Sequence, residues 1–433
     1  MYRLKSIKGV VNNGLCACCG TCAGICPNNA IKMFNSDGLL LPQVNDEACT
    51  DCGLCLACCP GDSVDFSAFE KSLFTNQSID PDLGRTLQCY WGHSTNDAIR
   101  CESSSGGVAT QLLVFALEKG LIDGVVVIGS RSGSSLEFKP YIARTSEEIM
   151  SASTSKYCPT AVGQALQQIL KEKGRFAVVG LPCQIHGVRK AEKAVAALKK
   201  RIVLHIGLFC SHTVNFQGTE TLLSKFSQSP MTVKTITYRG KGWPGSMTIT
   251  TKKGSTITIP YTGGWKIYGP LFSSFFFTPR RCLMCPDETN ELADLSLGDA
   301  WLPELRKQRK GESLVIARTE TGEQMLQRAC AAGVISLFPL NRDKAKATQA
   351  APLKFKKQDF ETRLAMLRKG GAKVPRFNPR PEGSRSLFSY VRNLLVLFNV
   401  ERSEKGTFKT ILVGVPFQVL RLYYGIYKVL CVA

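Results

Sequence analysis

The sequence is short of carboxylates. Among 433 residues, 34 Asp and Glu stand against 55 Lys and Arg, a formal net charge of +21. That imbalance calls for an anionic counterpart, which leaves nucleic acid, an anionic membrane, or an acidic partner or substrate. The chain carries no helix-turn-helix, finger or RNA-binding signature, so no nucleic-acid partner is expected. It also shows no export signal, because residues 1–11 are basic and hold no long apolar stretch. No segment supplies the roughly 20 uninterrupted apolar residues of a spanning helix. The best candidate, near 411–420, is broken by Pro416 and followed by Arg421 and Lys428. Cysteine, by contrast, is plentiful, at 19 residues. Without export these are not expected as disulfides, and thiolates need a reducing compartment. The expected location is therefore cytoplasmic, peripheral on the inner face of the cell membrane.

The densest cysteines fall in two runs. The first is Cys16-Ala-Cys-Cys19-Gly-Thr-Cys22-Ala-Gly-Ile-Cys26-Pro27, and the second is Cys49-Thr-Asp-Cys52-Gly-Leu-Cys55-Leu-Ala-Cys-Cys59-Pro60. Both follow C-x2-C-x2-C-x3-C-P, the spacing of bacterial two-cluster ferredoxins, in which the fourth cysteine ligates the other cluster. The spacing predicts one 4Fe-4S cluster on Cys16, Cys19, Cys22 and Cys59, and a second on Cys49, Cys52, Cys55 and Cys26. Gly20 and Gly53 stand where the backbone must turn closely round sulfur. Zinc is the alternative occupant of such thiols, but duplicated ferredoxin spacing disfavours it. Cys18 and Cys58, each beside a ligand position, are expected as packed thiols. The chemistry is single-electron transfer.

Along the chain, residues 1–66 form the expected two-cluster ferredoxin domain and 67–87 a polar linker. From 88 to 340 strands and helices alternate, predicting a mixed α/β domain. Helices are expected at 107–119, 161–171 and 189–200, and buried strands near 125–128, 176–180 and 202–209. These repeats imply parallel pairing with right-handed crossovers. Residues 232–259 alternate with period two and predict antiparallel strands. Residues 341–386 read as a basic linker punctuated by Gly370, Gly371, Pro375, Pro379 and Pro381. From Asn341 to the end, 19 Lys and Arg face 6 Asp and Glu. Residues 387–433 are expected as amphipathic helices that dock on an anionic membrane, on another subunit, or on the chain's own core.

A second set of cysteines is less local. Cys183 and Cys210 each follow a predicted parallel strand, and carboxyl ends of such strands share the ligand-binding edge of an open sheet. Cys282 and Cys285 add a C-x2-C pair. Four thiols from three segments can close a third cluster or a zinc site, or can be separate buried cysteines. Ser103, Ser104, Ser105, Gly106 and Gly107 open the predicted helix at 107, where free amides suit a phosphate, though Ser and Gly also cap helices without any ligand. Lys156 and Tyr157 offer a cation and an aromatic surface.

These motifs occur in a recognisable order. After the cysteine runs come Ser104-Ser-Gly-Gly-Val108, Lys119-Gly-Leu-Ile-Asp123, Ser155-Lys-Tyr157, Gly180-Leu-Pro-Cys183-Gln184, Leu208-Phe-Cys210-Ser-His212, Cys282-x-x-Cys285-x-Asp287 and Leu295-Ser-Leu-Gly298-Asp299-Ala-Trp301. The series, over about residues 10–340, resembles the beta-subunit family of coenzyme F-420 hydrogenase and F-420H2 dehydrogenase. The resemblance implies an FAD flavoprotein that exchanges hydride with F-420 and passes electrons into 4Fe-4S clusters. It places Ser103–Gly107 near FAD phosphates and Lys156 and Tyr157 along the flavin as catalytic residues. It places Cys183, Cys210, Cys282 and Cys285 on a third cluster beside the ring, with Cys158 as a substitute ligand. F-420 carries a phosphate and carboxylates, so Arg100, Lys139, Arg144, Lys156, Arg239, Lys241, Arg280 and Arg281 are candidate contacts. The implied partners are a ferredoxin or the subunits of a membrane quinone- or phenazine-reducing complex. Two rivals stand beside this reading: a related iron–sulfur flavoprotein reductase with another substrate, and a flavin-free electron relay.

Overall fold

The computed structural model describes residues 4, 6–74, 79–130, 136–261, 268–305, 308–379, 383 and 386–431. Its centre is a mixed sheet of eight strands. Four run parallel in the middle, in the spatial order Leu295–Asp299, Ile202–Leu208, Phe176–Gly180, Gly124–Gly129. Lys139–Ala143 flanks them on one side; Ser313–Ala317, Gln88–Ser94 and Ile335–Leu340 extend the other, all antiparallel. Alternate side chains of the middle strands point to opposite faces. Val125, Val127, Ala177 and Leu204 pack under helices Val108–Glu118 and Glu320–Ala331, while Val126 and Val178 pack under Leu166–Lys171 and Pro182–Ala194. Full burial of each such Val or Leu stabilises the fold by about 1.5–3 kcal/mol. Val233–Gly240, Ser246–Thr251 and Thr256–Pro260 form a separate antiparallel sheet.

One helix begins earlier than the 189–200 expected. It runs Pro182–Ala194, followed by Ala196–Arg201. Pro182 occupies the first helical position, where its missing N–H costs nothing. The Leu181 amide donates to Gln184 Oε1 at 2.7 Å and fixes the start. Cys183 therefore stands in a first helical turn directly above its strand.

The two N-terminal cysteine runs fold into turns of the same shape. Cys18 and Asp51 have positive φ (56° and 50°), as do Gly20 and Gly53 (76° and 73°). The two glycines open the short helices Thr21–Ile25 and Leu54–Ala57. Between the runs lies a hairpin, Ile31–Ser36 with Leu39–Val44. The turns differ in burial. A Cβ on Gly20 would lie 2.8 Å from Ala161, whereas nothing lies within 4 Å of one on Gly53. The first run is pressed on the sheet domain and the second faces outward.

Two stretches depart from the expected linkers. Part of 67–87 lies in the helix Phe66–Leu73 and in the pair Ile79–Asp80 with Gly84–Arg85; residues 75–78 lie outside the described ones. The 341–386 stretch is largely helical: Arg342–Thr348, Ala350–Leu353, a π turn Lys354–Gln358, and Phe360–Lys369. It buries Leu353, Phe360, Leu364 and Leu367. Its Arg363 guanidinium is fully buried, donates to Leu283 O, Phe355 O and Asn393 Oδ1, and lies 3.8 Å over the Phe355 ring. Residues 380–382 and 384–385 lie outside the described ones.

The last helices are Leu387–Ser403, Gly406–Gly414 and Phe417–Cys431. They pack on the chain's own core through Val396, Val400, Leu412, Leu420 and Tyr427. Their other side exposes Leu387, Phe388, Leu394 and Phe398 on the first, and Val419, Leu422, Ile426 and Val429 on the last. No helix among the described residues is long and apolar enough to cross a membrane.

Candidate functional site

The carboxyl edge of the parallel strands gathers the second set of cysteines. Strand ends Gly180 and Gly207 are in register, and Asn290 Nδ2 pins them by donating to Gly180 O (2.8 Å) and Leu208 O (3.3 Å). Gly207 allows this approach, since a Cβ there would lie 2.4 Å from Asn290. Cys282 and Cys285 come in on the 3-10 turn Arg280–Met284, which Arg281 ties to Met284 O and Pro60 O. Asp287 then locks the turn to the Cys183 helix. It accepts from His186 Nε2 at 2.8 Å and from the Asn290 and Glu291 amides. Cys183, Cys210, Cys282 and Cys285 line one cavity of about 50 Å³, together with Cys16, Cys18, Cys158 and Lys356. Among the described residues, no three His, Cys, Asp or Glu side chains converge as around a single ion. The thiols stand round a space instead of meeting at a point.

Electrostatic neighbours sort the thiols into sets. Burial pushes Cys22 well up, and Cys19, Cys59, Cys16 and Cys55 add to it. Cys55 is raised by burial and then by Cys52, Cys26 and Cys49. The fourth cysteine of each run thus sits with the three of the other. Burial likewise raises Cys183, with Cys19, Cys210, Cys285 and Cys282 adding to the effect. Such buried, mutually repelling thiols cannot ionise together without a cationic centre, and a metal would displace their protons. Cys52 is exposed, Cys16, Cys26, Cys49, Cys55, Cys183, Cys210 and Cys282 are half-buried, and Cys19, Cys22, Cys59 and Cys285 are buried. Cys158 stands apart, because its thiol bonds Tyr238 and burial pushes it up to about 12.

The serine–glycine turn is tied mostly to the protein itself. Ser103 Oγ donates to Ile99 O (2.7 Å), Ser104 Oγ to Arg239 O (3.1 Å) and Ser105 Oγ to Glu312 O (2.9 Å). Gly106 is packed against Gly92 O and Ser313 N, and Gly107, at φ 78°, opens Val108–Glu118 without a side-chain cap. Ser104 also accepts from Ser155 N at 2.8 Å, which joins this turn to the Lys156 segment. The Lys156 ammonium is buried against the carbonyls of Ala152, Ser153 (2.5 Å) and Thr154 (3.0 Å), and burial lowers it to about 7. Tyr157 lies in an aromatic wall with Tyr238, Tyr261 and Phe272. Arg239 closes this wall. It pairs with Asp299 through two bonds of 2.6 and 2.8 Å and lies 4.4 Å over Tyr261.

The cations read as substrate contacts do not form one pocket. Arg100 pairs with Glu312, Arg144 with Glu172, Lys139 with Glu137, and Arg281 is spent on backbone carbonyls. The sequence reading missed Lys356 and Arg363, because a run such as Lys354–Lys357 ordinarily marks a solvated face. His212, within the Cys210 motif, is held neutral between Phe272 and Phe275. Burial lowers it to about 3, and its Nε2 faces Phe272 O at 2.9 Å.

The chain matches two family models in series: coenzyme F-420 hydrogenase/dehydrogenase, beta subunit N-term, over residues 89–167, and the corresponding C terminus over 173–343. It is 29% identical to coenzyme F-420 hydrogenase subunit beta of Methanosarcina barkeri over 272 residues, covering 61% of this chain and 86% of that one. The same subunit of Methanothermobacter thermautotrophicus is 28% identical over 304 residues, covering 68% and 99%. Among solved structures, a chain of the F-420-reducing nickel–iron hydrogenase complex from Methanosarcina barkeri superposes with a TM-score of 0.55 at 25% identity, covering 69% and 99%. The two models together span more than half of the sequence. The chain belongs to the coenzyme F-420 hydrogenase/dehydrogenase beta-subunit family and is an oxidoreductase.

Proposed function

We propose that the chain is an electron-input subunit that exchanges hydride with coenzyme F-420 and delivers single electrons to a partner. One observation carries this reading: the three thiol sets neighbour one another in series. Cys183 neighbours Cys19, Cys22 neighbours Cys55, and Cys52 is exposed. Cys16, Cys19, Cys22 and Cys59 would hold one cluster, Cys26, Cys49, Cys52 and Cys55 another, and Cys183, Cys210, Cys282 and Cys285 a third. FAD and 4Fe-4S clusters, when bound, convert a two-electron hydride into single-electron traffic.

The chain's own residues do the positioning. Asn290 and Asp287 fix the sheet-edge thiols, and the first run, with Cys19 and Cys22 buried, stands between the edge and the outer set. Cys158, Pro159 and Thr160 belong to the cysteine cavity, and directly precede them Lys156 and Tyr157. The flavin segment and the third thiol set are thus neighbours. Because the Ser103–Ser105 hydroxyls already bond to the protein, the amides opening Val108–Glu118 are the phosphate donors. The Tyr157, Tyr261 and Arg239 wall is the surface for the ring.

The C-terminal helices give the docking face. Beside their exposed apolar residues stand the exposed Arg402, Lys405, Arg421 and Lys428 against Glu401 and Glu404, while Arg392 is paired with Asp359 and Lys409 with Glu220. That composition suits an anionic bilayer on which the subunit meets a membrane quinone- or phenazine-reducing complex, with a ferredoxin as the other acceptor.

The test is anaerobic reconstitution with iron, sulfide and FAD, followed by analysis of single Cys→Ser variants. Cys26→Ser should cost the outer cluster and Cys59→Ser the inner one. Stable flavin binding with no cluster in the wild type would end the reading.

A further inference from the structure

Lys356 lies beyond residue 343, where the family match ends, in a stretch whose sequence reads as a solvated linker. Yet its side chain is 1 % exposed. The π turn Lys354–Gln358 causes this. The wider turn brings Phe355 and Lys356 inward together, and such bulges recur at functional sites. Phe355 packs tilted against Phe275 with centroids 4.5 Å apart, and Arg363 clamps Phe355 O to Leu283 O of the C-x2-C turn. Lys356 is thereby held in the wall of the cavity formed by Cys183, Cys210, Cys282 and Cys285.

Its ammonium has one hydrogen bond, to Cys282 O at 3.2 Å. Its neighbour Lys357 has a carboxylate, Glu291, at 2.5 Å; no carboxylate among the described residues lies within ion-pair distance of Lys356. Asp287, which lines the same cavity, is engaged by His186 Nε2 and by the Asn290 and Glu291 amides. An ammonium taken out of water costs several kcal/mol unless an anion compensates it. The candidate anion is in front of it: four thiolates round a cluster carry net negative charge, and reduction adds one more.

We infer that Lys356 is the fixed counter-charge of the third thiol set, a positioning residue that holds the cluster's charge and raises its reduction potential. The inference rests on the third-cluster reading proposed above. Cluster potentials follow net local charge, hydrogen bonding and solvent exposure, and a buried cation stabilises the more negative, reduced state.

The experiment uses the full chain, reconstituted anaerobically, as wild type, Lys356→Met and Lys356→Arg. Iron and sulfide are counted, and each cluster's midpoint is read by EPR-monitored redox titration. Met keeps the length and apolar stem without the charge. The expected result is full iron in Lys356→Met, a more negative midpoint for the third cluster alone, and return toward wild type in Lys356→Arg. Loss of one cluster's iron in Lys356→Met but not in Lys356→Arg would assign the same charge role. An unmoved third midpoint at full iron, or equal loss of iron in both variants, would overturn it. Two clusters in the wild type would instead sink the third-cluster reading itself, and this inference with it.

Discussion

At the residue scale, the sheet edge is held by a buried charge network directly beneath it. His205 sits between Glu192 Oε1 (2.7 Å) and Asp294 Oδ2 (2.9 Å), and Arg189 bonds Asp294 at 3.0 Å and Glu192 at 3.3 Å. Arg189 and Glu192 are on the helix whose first turn holds Cys183, and His205 is on the strand that leads to Cys210. Removing one charge strands the others, so Asp294→Asn should destabilise the chain by about 3–5 kcal/mol, read by denaturant unfolding. The pH dependence has a defined sign. Burial and Arg189 oppose protonation of His205, but Glu192 and Asp294 outweigh them and raise its pKa. Its contribution is complete below the unfolded value of about 6.5 and is lost as pH rises through the higher folded value. The stability gap between wild type and His205→Gln should therefore be largest below about pH 6.5 and shrink at higher pH. A gap constant across that range would contradict the assignment. Glu192 and Asp294 act oppositely. Burial disfavours both carboxylates, but His205 and Arg189 outweigh it and hold their pKa values down. Their contribution is therefore present above about pH 4 and is lost as pH falls through their folded values.

At the element scale, regular alternation was readable and irregular helix was not. The parallel strands and the helix above Val125 and Val127 follow from apolar periodicity, and Gly20 and Gly53 take the left-handed turns that their spacing requires. The 341–386 stretch deceived because its charge pattern hides its burial. Arg363 is buried by bonding two backbone carbonyls and an amide oxygen, and Lys356 by facing a thiol cavity; neither partner is local in sequence. The C-terminal helices were readable as amphipathic, and one face does pack on the chain's own core. For the other face, the full chain should cosediment with vesicles containing anionic phospholipid and only weakly with neutral ones. Lys428→Gln should weaken that binding by about 1 kcal/mol, roughly fivefold. Leu422→Asp, at a position 67 % exposed, should weaken it further without unfolding the chain. Equal binding to neutral vesicles would leave the cations without a role in docking, and binding to neither would assign the stripes to a protein partner.

At the scale of the whole molecule, the arrangement is a series of three neighbouring thiol sets, and the second run carries the exposed Cys52. The two N-terminal runs were legible as local spacing, and in the fold Cys59 neighbours Cys22 and Cys26 neighbours Cys55. The third set was legible only as a possibility, because it is built from the ends of two strands and a distant turn that the sheet alone brings together. The Ser103–Gly107 segment read in the sequence as a phosphate site; in the fold its hydroxyls are engaged by one local carbonyl, Ile99 O, and two long-range ones, Arg239 O and Glu312 O. The central claim is that hydride from reduced F-420 enters at this edge. The most direct test mixes reduced F-420 anaerobically with the cofactor-loaded chain and a dye acceptor, following reoxidation of the deazaflavin. The account predicts prompt oxidation, lost in Cys183→Ala and slowed at the acceptor side in Cys52→Ser. No oxidation by a chain whose flavin is bound and reducible by dithionite would contradict it and assign the flavin and clusters to another hydride donor.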